Sequence, residues 1–197
     1  MLSVGLTGSV ASGKSETLKA FAAIGARTLS SDAIVKDLMK PGSPVVRKIR
    51  THFGPQAVRA GGGVCREYLR ERVLADPREL DWLERALHPG VRKSIRTFLA
   101  KHRRKAGVAV VEVPLLFENG FYKLFDRTAA VRTTAAAAEL RAAKRGMSPE
   151  LYRFLSGRQW SAARKAKAAG IVIHNTGTLQ ELNRRVSDAY KKLSAQA

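Results

Sequence analysis

The eight residues Gly8-Ser9-Val10-Ala11-Ser12-Gly13-Lys14-Ser15 constrain this chain more than any other stretch, because they fit the pattern GxxxxGK[ST] directly behind the apolar run Val4-Gly5-Leu6. Within that short span a strand must end, the backbone must turn tightly and a helix must begin. Glycines at both ends of the loop let the chain fold so closely that several N–H groups point at one anion. Lys14 adds a cation and Ser15 a hydroxyl suited to Mg²⁺. The helix predicted from Lys14 to Ile24, with Leu18, Phe21 and Ile24 turned inward, presents its positive end to the same anion. A nucleoside triphosphate is therefore the first ligand to consider.

The remaining elements alternate between β and α. Strands are predicted at Arg27 to Leu29, at 108–113, at Thr128 to Val131 and at Ile171 to Ile173, with a last helix from Leu179 to Leu193. Val108-Ala109-Val110-Val111-Glu112-Val113 has the continuous apolar character of a strand buried on both faces, and Pro114 ends it. Two or three helices fill 33–105, interrupted by Pro41-Gly42-Ser43-Pro44 and by Gly61-Gly62-Gly63. Two further helical pieces lie at Ala135 to Arg145 and after Ser148-Pro149, where Ser148 caps and Pro149 suits the first turn. Arg141, Lys144 and Arg145 share one helical face, which fits a lid over a nucleotide and an ordinary exposed helix equally well. This order specifies an α/β, three-layer fold of the P-loop NTPase type, with a mostly parallel central sheet, helices on both faces, and helical additions. Its expected parts are 1–32 with the loop, a helical subdomain at 33–105, central strands at 106–133, a lid region at 134–168 and a closing strand and helix at 169–197.

At 197 residues the chain can bury the core of one such domain, and no run approaches the roughly 20 apolar residues that span a bilayer. Met1-Leu2-Ser3-Val4 leads straight into the first strand, so a cytoplasmic location is expected. Cys65 is the single cysteine, which excludes an internal disulfide and a cysteine-built zinc site. The formal charge of +20 draws polyanions of every kind, whether ATP, a second phosphorylated substrate or nucleic acid, without choosing among them. Its densest run, Lys101-His102-Arg103-Arg104-Lys105, reads either as a solvated helix end or as a binding patch.

Four blocks together resemble the dephospho-CoA kinase family: Gly5-Leu6-Thr7-Gly8 through Lys14-Ser15; Ser31-Asp32-Ala33-Ile34; Leu87-His88-Pro89; and Val113-Pro114-Leu115-Leu116-Phe117-Glu118-Asn119. Arg141 with Arg145 is similar to the family's lid, and Gln159 followed by Val172-Ile173-His174-Asn175 to its closing segment. The resemblance implies transfer of the terminal phosphoryl group of ATP to the ribose 3′-hydroxyl of dephospho-CoA, with Mg²⁺ as cofactor, ATP and dephospho-CoA as small-molecule partners, and no need of membrane or nucleic acid. A monomer is the expected state. On this basis Asp32, Lys14 and Arg141 form the expected catalytic set. Gly8, Ala11, Ser12, Gly13, Lys14, Ser15, Glu16, Arg141 and Arg145 are expected to bind ATP, with Ser15 on Mg²⁺. Thr7, Asp32, His88, Leu115, Leu116, Phe117, Glu118 and Asn119 are expected to bind the acceptor. Asp32 reads equally as the cap of a helix starting at Ala33, His88 as a helix-terminal histidine, and Glu112 as a water-mediated Mg²⁺ ligand or a plain strand-end carboxylate.

Some positions depart from the family's pattern. Ala11 stands where glycine is common and is comfortable only at negative φ. Glu16 replaces a threonine and must turn away from a bound phosphate. Ser30 leaves Asp32 as the one carboxylate of its segment, and Ala169-Gly170 replaces an Ala-Asp pair. Two rivals share many of these features: another small-molecule or nucleotide kinase on the same fold, and a basic nucleic-acid-binding protein with a vestigial loop. Against the second, aromatic residues make up only 7% of the chain and do not interleave with the basic runs as stacking platforms would.

Overall fold

The computed structural model describes residues 1–195. Strand β1 (Leu2–Gly8) runs through the glycine loop into α1 (Lys14–Ala23), and β2 (Arg27–Ser30) follows. Next come α2 (Ser31–Leu38), α3 (Pro44–Phe53), α4 (Arg66–Ala75) and α5 (Pro77–His102). The chain then returns to strands with β3 (Val108–Glu112) and β4 (Arg127–Arg132), forms α6 (Ala135–Lys144), α7 (Pro149–Gly157) and α8 (Ala162–Ala168), and closes with β5 (Ile171–His174) and α9 (Leu179–Ser194).

Among the described residues the sheet has the order β2-β3-β1-β4-β5, and every neighbouring pair is parallel. The order reverses around β1, so the loop after Gly8 sits at the carboxyl-end crevice where open α/β sheets bind ligands. Side-chain alternation along β1 separates two layers. Leu2, Val4 and Leu6 join Val108, Val110, Ala129, Val131 and Ile173 under Phe21 of α1 and Leu182, Val186 and Leu193 of α9. On the opposite side Gly5 leaves room for Leu116 and Phe125, and α8 packs on β1 and β4.

The chain divides into two compact units, Met1–Ser30 joined to the residues from Phe98 onward, and Ser31–Thr97. The second unit has its own core, in which Val45, Val46, Ile49 and Phe53 of α3 meet Leu69, Leu83 and Leu87. Ser43 caps α3 by accepting from the Val45 N–H at 3.4 Å, and Pro44 fills the first turn, where a missing N–H costs nothing.

Three expectations need correction. Ile24, expected inward, follows the last turn of α1 and is 37% exposed; Phe21 is buried as expected, together with Thr17 and Ala20, and Leu18 packs partly buried against the same core. The region expected to hold two or three helices holds four, and α5 runs through Pro89, so His88 lies inside a helix and not at its end. Proline offers no N–H to the Arg85 carbonyl, yet Leu83, Leu87, Val91 and Ile95 continue at intervals of four on both sides of it. The continuous buried stripe outweighs the local penalty. Finally, α8 had no counterpart among the expected elements.

Candidate active site

The glycine loop is held in shape by its own backbone. Gly13 has φ 95° and Ala11 φ 53°, so both adopt left-handed conformations, and Ala11 does so with a side chain that disfavours it. The condition for an unstrained Ala11 is therefore not met, and the turn between Ser9 and Gly13 holds the alanine in the costlier geometry. The Ser12 N–H donates to the Ser9 carbonyl at 3.2 Å, and the Lys14 ammonium donates to that same carbonyl at 2.8 Å. Ser12 Oγ is buried without a hydrogen-bond partner, a polar group left facing the interior of the turn.

Ser15, exposed in the first turn of α1, donates to Glu112 Oε1 at 3.3 Å. Glu112 ends β3 and is 3% exposed, so a serine hydroxyl and a nearly buried carboxylate converge at the head of α1. Glu16 turns away along the helix surface and pairs with Lys19 at 2.9 Å, which removes the expected conflict with a phosphate.

Arg141 of α6 is tied to the loop through the closing segment. Its guanidinium donates to Thr133 Oγ1 at 3.4 Å and to the Asn175 carbonyl at 3.2 Å, while Asn175 Nδ2 donates to the Ser12 carbonyl at 2.8 Å. A methyl group added to Gly13 would overlap Asn175 Nδ2 and stand 3.9 Å from Arg141 Nη1. Thus glycine is required at position 13 both for its φ and for the approach of the closing segment. Arg145 lies at the C-cap of α6, exposed and outside this group. A cavity of about 190 Å³ lies beside the loop, lined by Ser9, Thr133, Tyr152, Gln159 and Trp160 among others.

The segment after β3 divides its residues between core and surface. Leu116 is fully buried and Phe117 is 8% exposed, whereas Leu115, Glu118 and Asn119 are half-buried. Thr7, expected at a substrate, is fully buried and donates its hydroxyl to the Pro114 carbonyl at 3.0 Å. Phe117 stacks on Trp160 at 5.7 Å, and the Arg164 guanidinium covers the same indole at 3.6 Å. Sequence reasoning missed Lys165, which is 0% exposed and reaches Glu118 Oε1 at 3.1 Å. Burial pushes its ammonium below the usual lysine range, with the attraction of Glu118 opposing the shift. The signal was faint, since Arg164-Lys165-Ala166-Lys167 looks like any solvated basic helix.

In the second unit Asp32 occupies the first turn of α2, which starts at Ser31; it is inside the helix and is not its cap. Its side chain is exposed. His88 is half-buried in α5, and burial, with the positive charge of Arg92, pushes its imidazolium below the usual histidine range.

A parallel sheet in this order, with a glycine loop feeding α1 and lysine, serine, carboxylate and arginine around it, defines a P-loop kinase. The family model described as dephospho-CoA kinase matches residues 2–181. Dephospho-CoA kinases of Symbiobacterium thermophilum and Thermobifida fusca are 38% and 34% identical to the chain, over 95% and 98% of it and 80% and 96% of their own lengths. A solved Thermus thermophilus structure superposes with a TM-score of 0.80 at 30% identity, covering 98% of this chain and 97% of that one. The chain belongs to the dephospho-CoA kinase family.

Proposed function

We propose that the protein transfers the γ-phosphoryl group of ATP to the ribose 3′-hydroxyl of dephospho-CoA, yielding CoA and ADP in the last step of CoA biosynthesis, with the residues of the glycine loop and the lid arginine carrying the donor. The observation that supports this most is the convergence of Lys14, Ser15, Glu112 and Arg141 on one loop in a chain of this family.

Each residue has a role set by its chemistry. Main-chain N–H groups of the loop and the N-terminus of α1 bind the phosphates, and Lys14 exchanges the Ser9 carbonyl for phosphate oxygens. Arg141, already braced by Thr133 and Asn175, neutralises charge that grows on the transferred group. Asp32 lies two residues beyond Ser30, the last residue of a strand whose end is in register with Glu112. We assign it to orient the acceptor hydroxyl and take its proton late in a loose transition state.

The residues also fit a nucleotide-borne Mg²⁺. Among the described residues no three His, Cys, Asp or Glu side chains gather to hold a resident metal, but Ser15 Oγ and Glu112 stand together where a hard cation could take one or two protein oxygens, the rest coming from phosphate and water. Such an ion, when bound, would supply neutralisation of the negative charge on the phosphates. No helix among the described residues is long and apolar enough to cross a membrane, and we place the reaction in the cytoplasm, where ATP is supplied.

The test is an ADP-release assay with a panel of acceptors, combined with ATP titration calorimetry. Turnover with dephospho-CoA is expected, and Asp32→Asn should retain ATP affinity while losing about 10²-fold or more in kcat. Phosphorylation of nucleosides or nucleotides but never of dephospho-CoA would reject the assignment of acceptor.

A further inference from the structure

The buried ammonium of Lys165 is a charged group in the interior of the first unit to which the roles above give no work. Its Nζ lies 2.6 Å from the Pro114 carbonyl, 3.1 Å from Glu118 Oε1, 3.3 Å from Gln159 Oε1 and 3.5 Å from both Thr7 Oγ1 and the Gly8 carbonyl. These partners come from the end of β1, the segment after β3 and the turn before α8. An ammonium carries three protons, and here each of them finds oxygen, as a buried cation requires. For stability alone an apolar pair in place of both Lys165 and Glu118 would serve as well, since a buried ion pair seldom outperforms an apolar replacement.

What the ion pair does beyond stability is visible at Glu118. Oε1 accepts from Lys165 and also from the main-chain N–H of Trp160 at 2.8 Å, while Oε2 is buried and has no hydrogen-bond partner. One oxygen is doubly tethered, so the orientation of the other is fixed. A carboxylate oxygen kept dry and unsatisfied forfeits part of its hydration, and a donor that arrives with a ligand restores it. The adjoining ring stack of Phe117 and Trp160 under Arg164 holds the same segment from its flank.

We infer that Lys165 is a positioning residue for the acceptor: it ties down one oxygen of Glu118 and so presents the other to a hydroxyl or N–H donor of the bound dephospho-CoA. The inference rests on the functional reading above. It predicts a selective effect. Lys165→Met frees Glu118 to reorient, so KM for dephospho-CoA should rise about tenfold or more, the scale of one charged hydrogen bond, while KM for ATP changes less than about twofold.

The single variant leaves a buried carboxylate without its counter-charge, and it is expected to melt early. The double variant Lys165→Met with Glu118→Gln removes both charges. Its melting temperature should return toward that of the unaltered protein while KM for dephospho-CoA stays high. A purely structural role would restore both together. Equal changes in the two KM values for Lys165→Met, or a normal acceptor KM in the double variant, would overturn the inference. If Lys165→Met does not fold, the double variant and Glu118→Gln alone decide the matter by the same acceptor KM. An unaltered protein that turns over no dephospho-CoA would instead sink the functional reading and this one with it; normal turnover beside indifferent variants would sink this one alone.

Discussion

At the scale of single residues, Ala11 carries the clearest stored cost. Its φ of 53° puts a methyl group where the left-handed conformation crowds it, a penalty of about 1–2 kcal/mol, partly offset because alanine restricts the unfolded chain more than glycine does. Ala11→Gly should therefore stabilise the protein by about 0.5–1 kcal/mol, measured as a shift in the denaturant midpoint at constant slope. A loss of stability would mean that the Ala11 methyl makes packing contacts worth more than its strain. Glu16 teaches the opposite lesson, because a residue that looked hostile to phosphate is harmless once paired with Lys19.

At the scale of elements, hydrophobic spacing and end signals read true where they were strong. Thr178 accepts from the Glu181 N–H at 3.2 Å while Glu181 Oε2 accepts from the Thr178 N–H at 2.7 Å, a reciprocal cap at the head of α9. Since α9 buries Leu182, Val186, Ala189 and Leu193, Thr178→Ala is expected to cost about 1 kcal/mol in chemical denaturation and leave kcat unchanged. The loop, the strands, α1, α6, α7 and α9 were legible because each combines a periodic apolar face with a glycine, proline or hydroxyl at its end. Pro89 does not end α5, because a breaker acts locally, whereas the stripe of Leu83, Leu87, Val91 and Ile95 that overrides it is spread over several turns. The site was legible where backbone geometry fixes it, as at Gly13 and Lys14. It was not legible where burial assigns the role: nothing in the string of letters separates Lys165, fully enclosed, from Lys167, which is exposed.

At the scale of the whole molecule, charge and proton binding set the response to pH. His88 and His102 both have proton affinities pushed below the usual histidine range, first by burial and then by neighbouring cations. The unfolded chain therefore binds more protons than the native one below about pH 6.5, so stability rises with pH through that window and is lost as the solution is acidified. Melting temperatures recorded between pH 7 and 5 should fall, and His88→Gln should flatten the slope; an unchanged slope would assign the loss to other groups. At lower pH Asp126 adds a second decline. Its carboxylate accepts from the Ser3 hydroxyl at 2.6 Å and from the Ser3 N–H at 2.8 Å, which hold its pKa down, so its contribution is complete above the unfolded value and disappears as pH drops through the native one.

The all-parallel order of the sheet also governs when the nucleotide cradle can come into being during synthesis. Leu2 is in register with Val108 and Val4 with Arg127, so the first strand made waits for partners more than a hundred residues downstream. A ribosome that has released only the first half of the polypeptide has released the phosphate-binding letters without the neighbours that fold them, and such distant pairings form slowly. Ligand capture by nascent chains should thus begin abruptly, once β4 has left the exit tunnel.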